Sequence, residues 1–537
     1  MKRKFIIYLP LLFALVLIAG IFLGYKLSPV TVYHNLVPLK TGNYNKVADI
    51  IRYIENEYVD SVSRDQIVEE GIYGILDHLD PHSQYIAAEE FHEVNDPLLG
   101  NFEGIGIQFR IEKDSIVVIQ TIPGGPSEKV GLMPGDRIVE VEDSTMTGSH
   151  INNQLAMKML KGKRGTEVEV SIYRRGVDEL LNFTIVRDVI PTWSIEIAYM
   201  ATESIGYVRV SKFSATTSDE FKEATHELIE KGMERLILDL RGNAGGYLQA
   251  AIDMADEFLT DNKLIVFTEG AHQPRESFYA TSKGELEDIE LIILVDGGSA
   301  SASEIVAGAI QDNDRGMIIG RRTFGKGLVQ RQLDLSDGSA LRLTVARYHT
   351  PTGRSIQKPY DPDKGFEDYY SEAYHRYLNG EMKSEDSIPL VDSLKYITPG
   401  GNVVYGGGGI MPDIFVPLNE NKGMDFYRKL INKSLIFRYA FKYTDEHRRD
   451  LQRFEDVEDF NKHFEVSAAL FGDLVEFAGN NGIETNEAFI EKSRFKTATM
   501  LKAYIGRNLF DNEGFYPTYL EVDDIFQEAM NQLNKET

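Results

Sequence analysis

Hydrophobic residues recur along the chain with two different periods, and the changes between them divide it into segments. From Val47 to Tyr58 apolar residues repeat every three or four positions, which is typical of an amphipathic helix. A second run of this kind covers residues 67–79, and Asp80-Pro81 indicates a helix boundary after it. Residues 27–97 are therefore predicted to be a polar tether followed by a small helical segment.

Residues 98–188 carry short alternating runs instead, which predict a β-rich module. We expect strands at residues 104–109, 115–120, 137–141 and 166–173, with short helices at 127–130 and 151–160. This order resembles a PDZ domain, through the loop Phe102-Glu103-Gly104-Ile105-Gly106-Ile107 and the segment Gly131-Leu132-Met133-Pro134-Gly135-Asp136-Arg137-Ile138. The amides of Gly104, Ile105, Gly106 and Ile107 could capture the carboxylate of a chain terminus, while the strand edge pairs with the extended peptide.

Residues 189–420 alternate apolar strands with amphipathic helices, which predicts an α/β domain with a largely parallel sheet. We expect strands at residues 205–210, 236–240, 264–268 and 291–295, and Asp337-Gly338 indicates a hairpin. Residues 421–537 are charged and amphipathic, and they predict a C-terminal helical region without a chemical motif. The chain is thus predicted to be a multidomain protein of mixed α+β and α/β class.

The N-terminus carries a different signal. Lys2, Arg3 and Lys4 precede residues 5–24, which contain no charge and are long enough to cross a hydrocarbon core of ~30 Å at ~1.5 Å per residue. Residues 1–26 are therefore predicted to be a transmembrane signal anchor, with the basic end cytoplasmic and the rest of the chain on the periplasmic side. A cleaved signal peptide is the alternative, but the span does not end in an A-x-A-like site.

Composition excludes several classes of function. The net charge of -26 argues against a nucleic-acid partner, because phosphate binding requires a basic face. The chain has no cysteine, which excludes disulfides, thiolate metal sites and a cysteine nucleophile. We expect no metal and no other cofactor.

The candidate chemistry lies between residues 291 and 330. Ser299, Ser301 and Ser303 crowd a predicted strand-to-helix turn. Ser301 and Glu304 match a capping box, S-x-x-E, which explains a serine there without any catalysis. Alternatively one of the three serines is a nucleophile beside helix amides that could stabilise an oxyanion.

Lys326 is the matching candidate for a base. The residues from Gly320 to Lys326 also fit a GxxxxGK phosphate-binding loop, but Gly327 replaces the required serine or threonine, and a strand rather than a helix is predicted to follow. A Ser-His-Asp triad is disfavoured because GxSxG is absent. A lysine base must be desolvated to lose its proton, and Gln330, on the same face of the strand, could hydrogen-bond its amine without adding charge.

The chain is similar to the carboxy-terminal processing peptidases, or tail-specific proteases, over roughly residues 45–420. The resemblance is carried by the following motifs: Leu79-Asp-Pro-His-Ser83, Asp239-Leu-Arg-Gly-Asn-Ala-Gly-Gly246, Gly298-Ser-Ala-Ser301-Ala-Ser-Glu304, Thr323-Phe324-Gly325-Lys326-Gly327-Leu-Val-Gln330, Tyr348-His-Thr-Pro-Thr-Gly-Arg-Ser355-Ile-Gln357 and Gly409-Ile-Met-Pro-Asp413. Ala244 departs from the family, in which proline is frequent at that position. The resemblance implies a peptidase domain of crotonase-like type with a Ser-Lys dyad.

The resemblance also implies a role for each motif residue. Ser301 would be the nucleophile, Lys326 the general base and Gln330 the residue that supports it. The oxyanion donors would be the backbone amide of Ala302 and an amide of Gly245 or Gly246. Asp312 lies three helical turns after Ser301, so it is either a supporting residue or a solvated carboxylate at the helix end.

These expectations define an extracytoplasmic serine endopeptidase that cleaves proteins near their C-termini after PDZ capture of the tail. Its expected partners are C-terminal protein tails and, through residues 5–24, the membrane, whereas a homo-oligomer or an activating partner stays open. A catalytically inactive PDZ scaffold or adaptor in the cell envelope is the competing class. Natural substrates and the role of residues 421–537 are not indicated by the sequence.

Overall fold

The computed structural model describes residues 14, 16–18, 46–112, 115–361, 365–418, 424–484 and 486–535. The chain forms two compact units. The first contains the described residues up to Phe91 together with Arg331–Leu343, and the second contains the described residues of His92–Gln330 and Thr344–Thr537.

The first unit has the two helices predicted for this part of the chain, α1 (Lys46–Glu57) and α2 (Arg64–Leu76). Strand β1 (Gln84–Ile86) follows and pairs antiparallel with residues 340–342. Between them the Asp80 carboxylate accepts the amides of His82 and Ser83 at 3.0 and 3.2 Å. These bonds satisfy backbone donors of the turn that ends the helical segment.

The second unit begins at His92, within helix α3 (Phe91–Leu99). A β-rich module follows, in which all four predicted strands form. Its elements are β2 (Asn101–Gly104), β3 (Ile107–Glu112), β4 (Ser115–Thr121), α4 (Pro126–Lys129), β5 (Arg137–Val141), β6 (Ser144–Thr145), α5 (Asn153–Leu160), β7 (Glu167–Tyr173), β8 (Leu181–Val186) and β9 (Asp188–Pro191). The main sheet has the order β3-β4-β5-β7-β8, and β2 pairs with β9. Strands β8 and β9 were not predicted, because residues 166–173 were expected to be the last strand of the β-rich module.

The α/β domain is built around a second sheet. Its elements are β10 (Ile195–Met200), β11 (Ile205–Val210), α6 (Thr217–Glu230), β12 (Arg235–Asp239), α7 (Leu248–Asp256), β13 (Leu264–Gly270), β14 (Gln273–Tyr279), β15 (Glu290–Val295), α8 (Ala302–Asp312), β16 (Met317–Gly320), β17 (Leu328–Asp334), β18 (Ala340–His349), α9 (Gly365–Leu378), β19 (Lys395–Ile397), β20 (Val403–Tyr405) and β21 (Ile414–Phe415). The order is β10-β11-β12-β15-β16-β21, antiparallel at β10-β11 and parallel elsewhere. The prediction of a largely parallel sheet is confirmed.

Apolar side chains leave both faces of this sheet and enter two separate cores. Along β12, Leu236 and Leu238 pack with α6, α7 and α8, whereas Ile237 between them points to the other face. Ile237 packs there against the C-terminal helices, for example against the cluster containing Phe426 and Leu474. Burial on both faces explains why the strand is almost continuously apolar.

The C-terminal region is helical, as predicted. It comprises α10 (Asp425–Asn432), α11 (Leu435–Glu446), α12 (Arg448–Leu451), α13 (Val457–His463), α14 (Ala468–Asn480), α15 (Glu487–Leu520) and α16 (Asp524–Lys535). Helix α15 is interrupted at Phe510 and Asp511. The region also contacts the first β module, where Arg175 pairs with Asp445 at 3.1 Å and Arg448 donates to the Pro134 carbonyl at 2.8 Å.

The predicted membrane anchor, residues 5–24, lies outside the described residues except for Ala14 and residues 16–18. Among the helices that the structure describes, none combines the length and the apolar character needed to cross a bilayer.

Candidate active site

The three serines of the strand-to-helix turn have different surroundings. Ser299 is fully buried and its hydroxyl donates to the Leu240 carbonyl at 2.8 Å. Ser303 is also fully buried, and its hydroxyl donates to the Asn243 carbonyl at 2.9 Å. Ser301 is partly exposed. Two of the serines therefore fix the turn, and Ser301 is the one positioned to meet a substrate.

Ser301 begins α8 in a strained conformation, with φ at 55° and ψ at −112°. Positive φ is rare for a residue with a side chain, and such strain is concentrated at functional sites. Gly245 approaches it closely: a Cβ at this glycine would lie 2.8 Å from the Ser301 Cβ and 2.9 Å from the Ala302 nitrogen. Only glycine permits this contact, so the 241–246 turn, Ser301 and the Ala302 amide are held together.

The amide of Gly245 already has a partner within the turn. The Gly245 amide donates to the Asn243 side-chain oxygen at 2.8 Å, and the Gly245 carbonyl accepts the Phe213 amide at 2.9 Å. The first amides of α8, beginning with Ala302, have no partner within the helix. This arrangement favours the amides of Gly246 and Ala302, rather than that of Gly245, as oxyanion donors.

Glu304 connects the serine turn to the lysine loop. Its carboxylate accepts the amides of Ser301, Gly325 and Lys326 at 2.7–2.8 Å and the Thr323 hydroxyl at 2.5 Å. Burial raises the pKa of this fully buried carboxyl, although the four donors act in the opposite direction. The S-x-x-E pattern predicts only a helix cap here, whereas the same carboxylate also anchors the segment that carries the candidate base.

Tyr348 makes a second connection between the same two segments. Its buried hydroxyl lies 2.6 Å from the Lys326 carbonyl oxygen and 3.1 Å from the Ser301 carbonyl oxygen. Burial, with the Glu304 charge adding to it, raises the pKa of Tyr348 well above its usual range, so the phenol remains a donor. Tyr348 belonged to a motif of the resemblance, but its role as a bridge was not predicted.

The Lys326 side chain contacts Gln330, the partner predicted for it. Its Nζ donates to the Gln330 side-chain oxygen at 3.2 Å, and both residues are partly buried. The adjacent Gly327 amide donates to the Gln357 side chain at 2.8 Å. Residues 328–334 form a strand, as expected, so the helix that a phosphate-binding loop requires does not follow Lys326.

A second lysine near the site, Lys358, has a different environment. Its Nζ lies 2.7 Å from the Glu372 carboxylate and 4.0 Å from the centre of the Phe324 ring. Burial lowers the pKa of Lys358, and the Glu372 carboxylate opposes that shift. The Glu372 carboxylate favours the protonated form of Lys358, whereas the Gln330 amide adds no charge beside Lys326.

The prediction that Asp312 could be a solvated carboxylate at the helix end is wrong, because the side chain is buried. Its buried carboxylate accepts the Arg354 guanidinium at 2.7 Å and the Thr352 hydroxyl at 2.6 Å. The burial of both side chains explains the pairing, because an isolated charge there would be costly. Asp312 thus fixes the 350–354 turn, and the chain that follows the turn carries Gln357.

The predicted peptide-binding loop is anchored inside the first β module. The buried Ile105 offers its carbonyl to the amide and hydroxyl of Ser127, at 3.0 and 2.6 Å. Gly106 has φ at 74°, and its carbonyl accepts the Ile122 amide at 2.9 Å. The loop of Gly104 to Ile107 therefore has a fixed backbone at the start of β3.

Fold and site together define a serine hydrolase that carries a PDZ module, and the comparisons with known proteins give its family. Peptidase family S41 matches residues 204–365, the PDZ domain model matches residues 104–185, and a family of unknown function, DUF8443, matches residues 426–511. The carboxy-terminal-processing protease of Bartonella bacilliformis is 37% identical over 63% of this chain and 79% of its own length. The carboxy-terminal processing protease CtpB of Bacillus subtilis is 33% identical over 58% of this chain and 65% of its own length.

Among solved structures, the photosystem II D1 C-terminal processing protease is 25% identical over 70% of this chain and 87% of its own, with a TM-score of 0.37. The family assignment therefore rests on the sequence relatives. The chain belongs to the carboxy-terminal processing proteases of peptidase family S41.

Proposed function

We propose that this enzyme hydrolyses peptide bonds with Ser301 as nucleophile and Lys326 as general base. The observation that carries the proposal is the double connection between their segments. Glu304 accepts the amides of both residues, and the Tyr348 hydroxyl lies within hydrogen-bond distance of both carbonyl oxygens. These contacts fix the backbones of the two segments relative to each other, which supports a catalytic pair.

The reaction would proceed through an acyl-enzyme. The neutral Lys326 amine takes the Ser301 hydroxyl proton as the oxygen attacks the substrate carbonyl. The amides of Ala302 and Gly246 stabilise the negative oxygen of the tetrahedral intermediate. The lysine then gives its proton to the leaving amine, and water, activated by the same lysine, releases the acyl group. Gln330 keeps the Lys326 amine oriented without adding a charge beside it.

The PDZ module would deliver the substrate. The loop of Gly104 to Ile107 precedes strand β3, so a chain terminus whose carboxylate binds the loop amides can extend along the strand. A peptide with an apolar last residue and a free carboxylate should bind the Ser301→Ala protein more tightly than the same peptide with an amidated terminus. Equal binding of the two peptides, measured by fluorescence anisotropy, would contradict capture of the terminal carboxylate.

The catalytic part would act outside the cytoplasm. The support is the uncharged stretch of residues 5–24 behind three basic residues. A reporter fused after residue 537 tests the orientation: a reporter active only in the periplasm should be active, and one active only in the cytoplasm should not.

Cleavage of a tagged protein with an apolar C-terminus tests the dyad. Wild type should cleave, whereas Ser301→Ala and Lys326→Ala should each lose activity by a factor of about 10³ or more, as removal of a nucleophile or its base usually does. Ser467→Ala is the control, because this exposed serine only caps helix α14 in the C-terminal region, and the variant should keep most of the wild-type activity. Turnover by Lys326→Ala at the wild-type rate would refute the dyad, and turnover by Ser301→Ala would refute the nucleophile.

A further inference from the structure

The strand that leads into the glycine turn ends in a network of buried charges. Asp239 closes β12, and its carboxylate accepts the Arg241 guanidinium at 2.6–3.0 Å and the Tyr207 hydroxyl at 2.7 Å. Arg209 lies 3.0 Å from the same carboxylate, and its other side pairs with Glu196 at 2.9 Å. One carboxylate is therefore shared by two guanidinium groups, and each of these has a second acidic partner.

The second partner of Arg241 comes from the C-terminal helical region. Asp523, just before α16, accepts the Arg241 guanidinium at 2.7 Å and the Phe526 amide at 2.8 Å on one oxygen. Its other oxygen accepts the Tyr519 hydroxyl at 2.7 Å. The Arg241 and Asp523 side chains are only 9% and 10% exposed, so this charge-assisted contact is largely withdrawn from water.

Arg241 is the first residue of the turn that reaches the nucleophile. Its amide donates to Asp239 at 2.9 Å, and its carbonyl accepts the Arg209 guanidinium at 3.0 Å. Four residues later, Gly245 packs directly on Ser301 and the Ala302 amide. Arg241 thus anchors the start of the turn whose glycines reach the nucleophile.

We infer that Asp523 is a positioning residue for the oxyanion turn. It holds the Arg241 side chain from the side opposite Asp239, and this fixes the turn against Ser301. The C-terminal helices, whose residues 426–511 match a family of unknown function, would thus contribute to catalysis without touching the substrate. This inference rests on the proposed function, since it presupposes attack by Ser301 and an oxyanion at the turn.

Steady-state kinetics of the full-length enzyme test the inference. Asp523→Ala should lower kcat about tenfold with KM changed by less than about twofold, because a displaced donor weakens the transition state more than the bound substrate, and because outright removal of a donor costs about 10²–10³. Asp523→Asn keeps an acceptor for Arg241 and should recover most of kcat. Asp456→Ala is the matched control: it removes the N-cap of α13 in the same helical region, where Asp456 accepts the Asp459 amide, and should leave kcat unchanged.

A peptide boronate separates positioning from general loosening of the fold, because it binds Ser301 as a tetrahedral adduct that occupies the oxyanion site. Asp523→Ala should bind it about tenfold more weakly than Asp456→Ala does, in proportion to kcat. If Asp523→Ala does not fold, Tyr519→Phe, which removes one bond to Asp523, should show the same pattern to a smaller degree. Equal kcat in the two alanine variants, or a rise in KM alone, would overturn the inference. Failure of the proposed function would be visible separately, as cleavage that persists in Ser301→Ala.

Discussion

At the scale of single residues, Glu304 connects the two segments that carry the proposed dyad. Its carboxylate accepts three amides and one hydroxyl. Glutamine has one acceptor oxygen and would turn an NH₂ group toward some of these donors. We expect Glu304→Gln to lose about 1–3 kcal/mol of unfolding free energy, because buried donors are left without partners. Its kcat should also fall, since one of the two connections between the serine and lysine segments is weakened.

Glu220 provides the control for this prediction. It accepts the amides of Ser194 and Ile195 at 2.6 and 3.1 Å, in a part of the domain that carries no candidate catalytic residue. Glu220→Gln should lose stability in urea unfolding while kcat of the folded enzyme stays at the wild-type value. A wild-type kcat for Glu304→Gln as well would contradict the connecting role of Glu304.

Sequence alone predicts Ser301 and Lys326 as the dyad, because they stand in motifs of a known family. It could not assign Glu304 or Tyr348 beyond a cap and a motif position. Their function lies in contacts with backbone atoms of segments that are 20 or more residues away, and these contacts exist only in the folded chain. The different burial of Ser299, Ser301 and Ser303 likewise depends on the packing of the turn against Leu240 and Asn243.

At the scale of elements, the end of strand β12 makes the fold sensitive to acid. Burial alone would raise the pKa of the Asp239 carboxyl, but Arg241 and Arg209 outweigh it and lower the pKa to about 2. A lowered pKa means that the carboxylate stabilises the folded state fully above pH ~4 and loses this contribution as the pH falls toward ~2, with roughly 2 kcal/mol at stake.

Urea unfolding at several pH values measures this contribution. The difference in unfolding free energy between wild type and Asp239→Asn should be constant from pH 7 to about pH 5 and should shrink by roughly 2 kcal/mol on acidification to about pH 2. A difference that is independent of pH would show that Asp239 does not carry its charge in the folded protein.

The elements themselves could largely be predicted from hydrophobic period. The strands predicted at residues 205–210, 236–240, 264–268 and 291–295 and the helices α1 and α2 form within a few residues of the expected positions, whereas β14, β19, β20 and β21 were not predicted. No strand was predicted within residues 174–204, so β8, β9 and β10 were missed. These strands form by pairing with β7, β2 and β11, and the local sequence pattern does not show such pairing.

At the scale of the whole molecule, the C-terminal helices are part of the core of the peptidase sheet. Phe426 is fully buried in the cluster that includes Tyr207, Ile237 and Leu294 of the strands. We expect Phe426→Ala to cost about 3–5 kcal/mol of unfolding free energy, because it leaves a cavity against the sheet. Phe495→Ala on α15 is the control, since Phe495 is 71% exposed and its loss should change the unfolding midpoint little. Equal effects of the two variants would contradict a shared core.

This shared core was not predicted, for a physical reason. The amphipathic pattern of residues 421–537 shows that these helices have an apolar face, but it does not show what covers that face. The partners are strand residues some 100 to 300 positions earlier in the chain, and those strands are apolar on both faces whichever layer covers them.

The central claim is that Ser301 attacks the substrate and that Lys326 removes its proton. The most direct measurement is the mass of the full-length enzyme, acid-quenched during turnover of a peptide ester, followed by peptide mapping. Wild type should carry one acyl group on the peptide containing Ser301, and both Ser301→Ala and Lys326→Ala should remain unmodified on the same timescale. An acyl group on another residue, or acylation of Lys326→Ala as fast as wild type, would contradict the account.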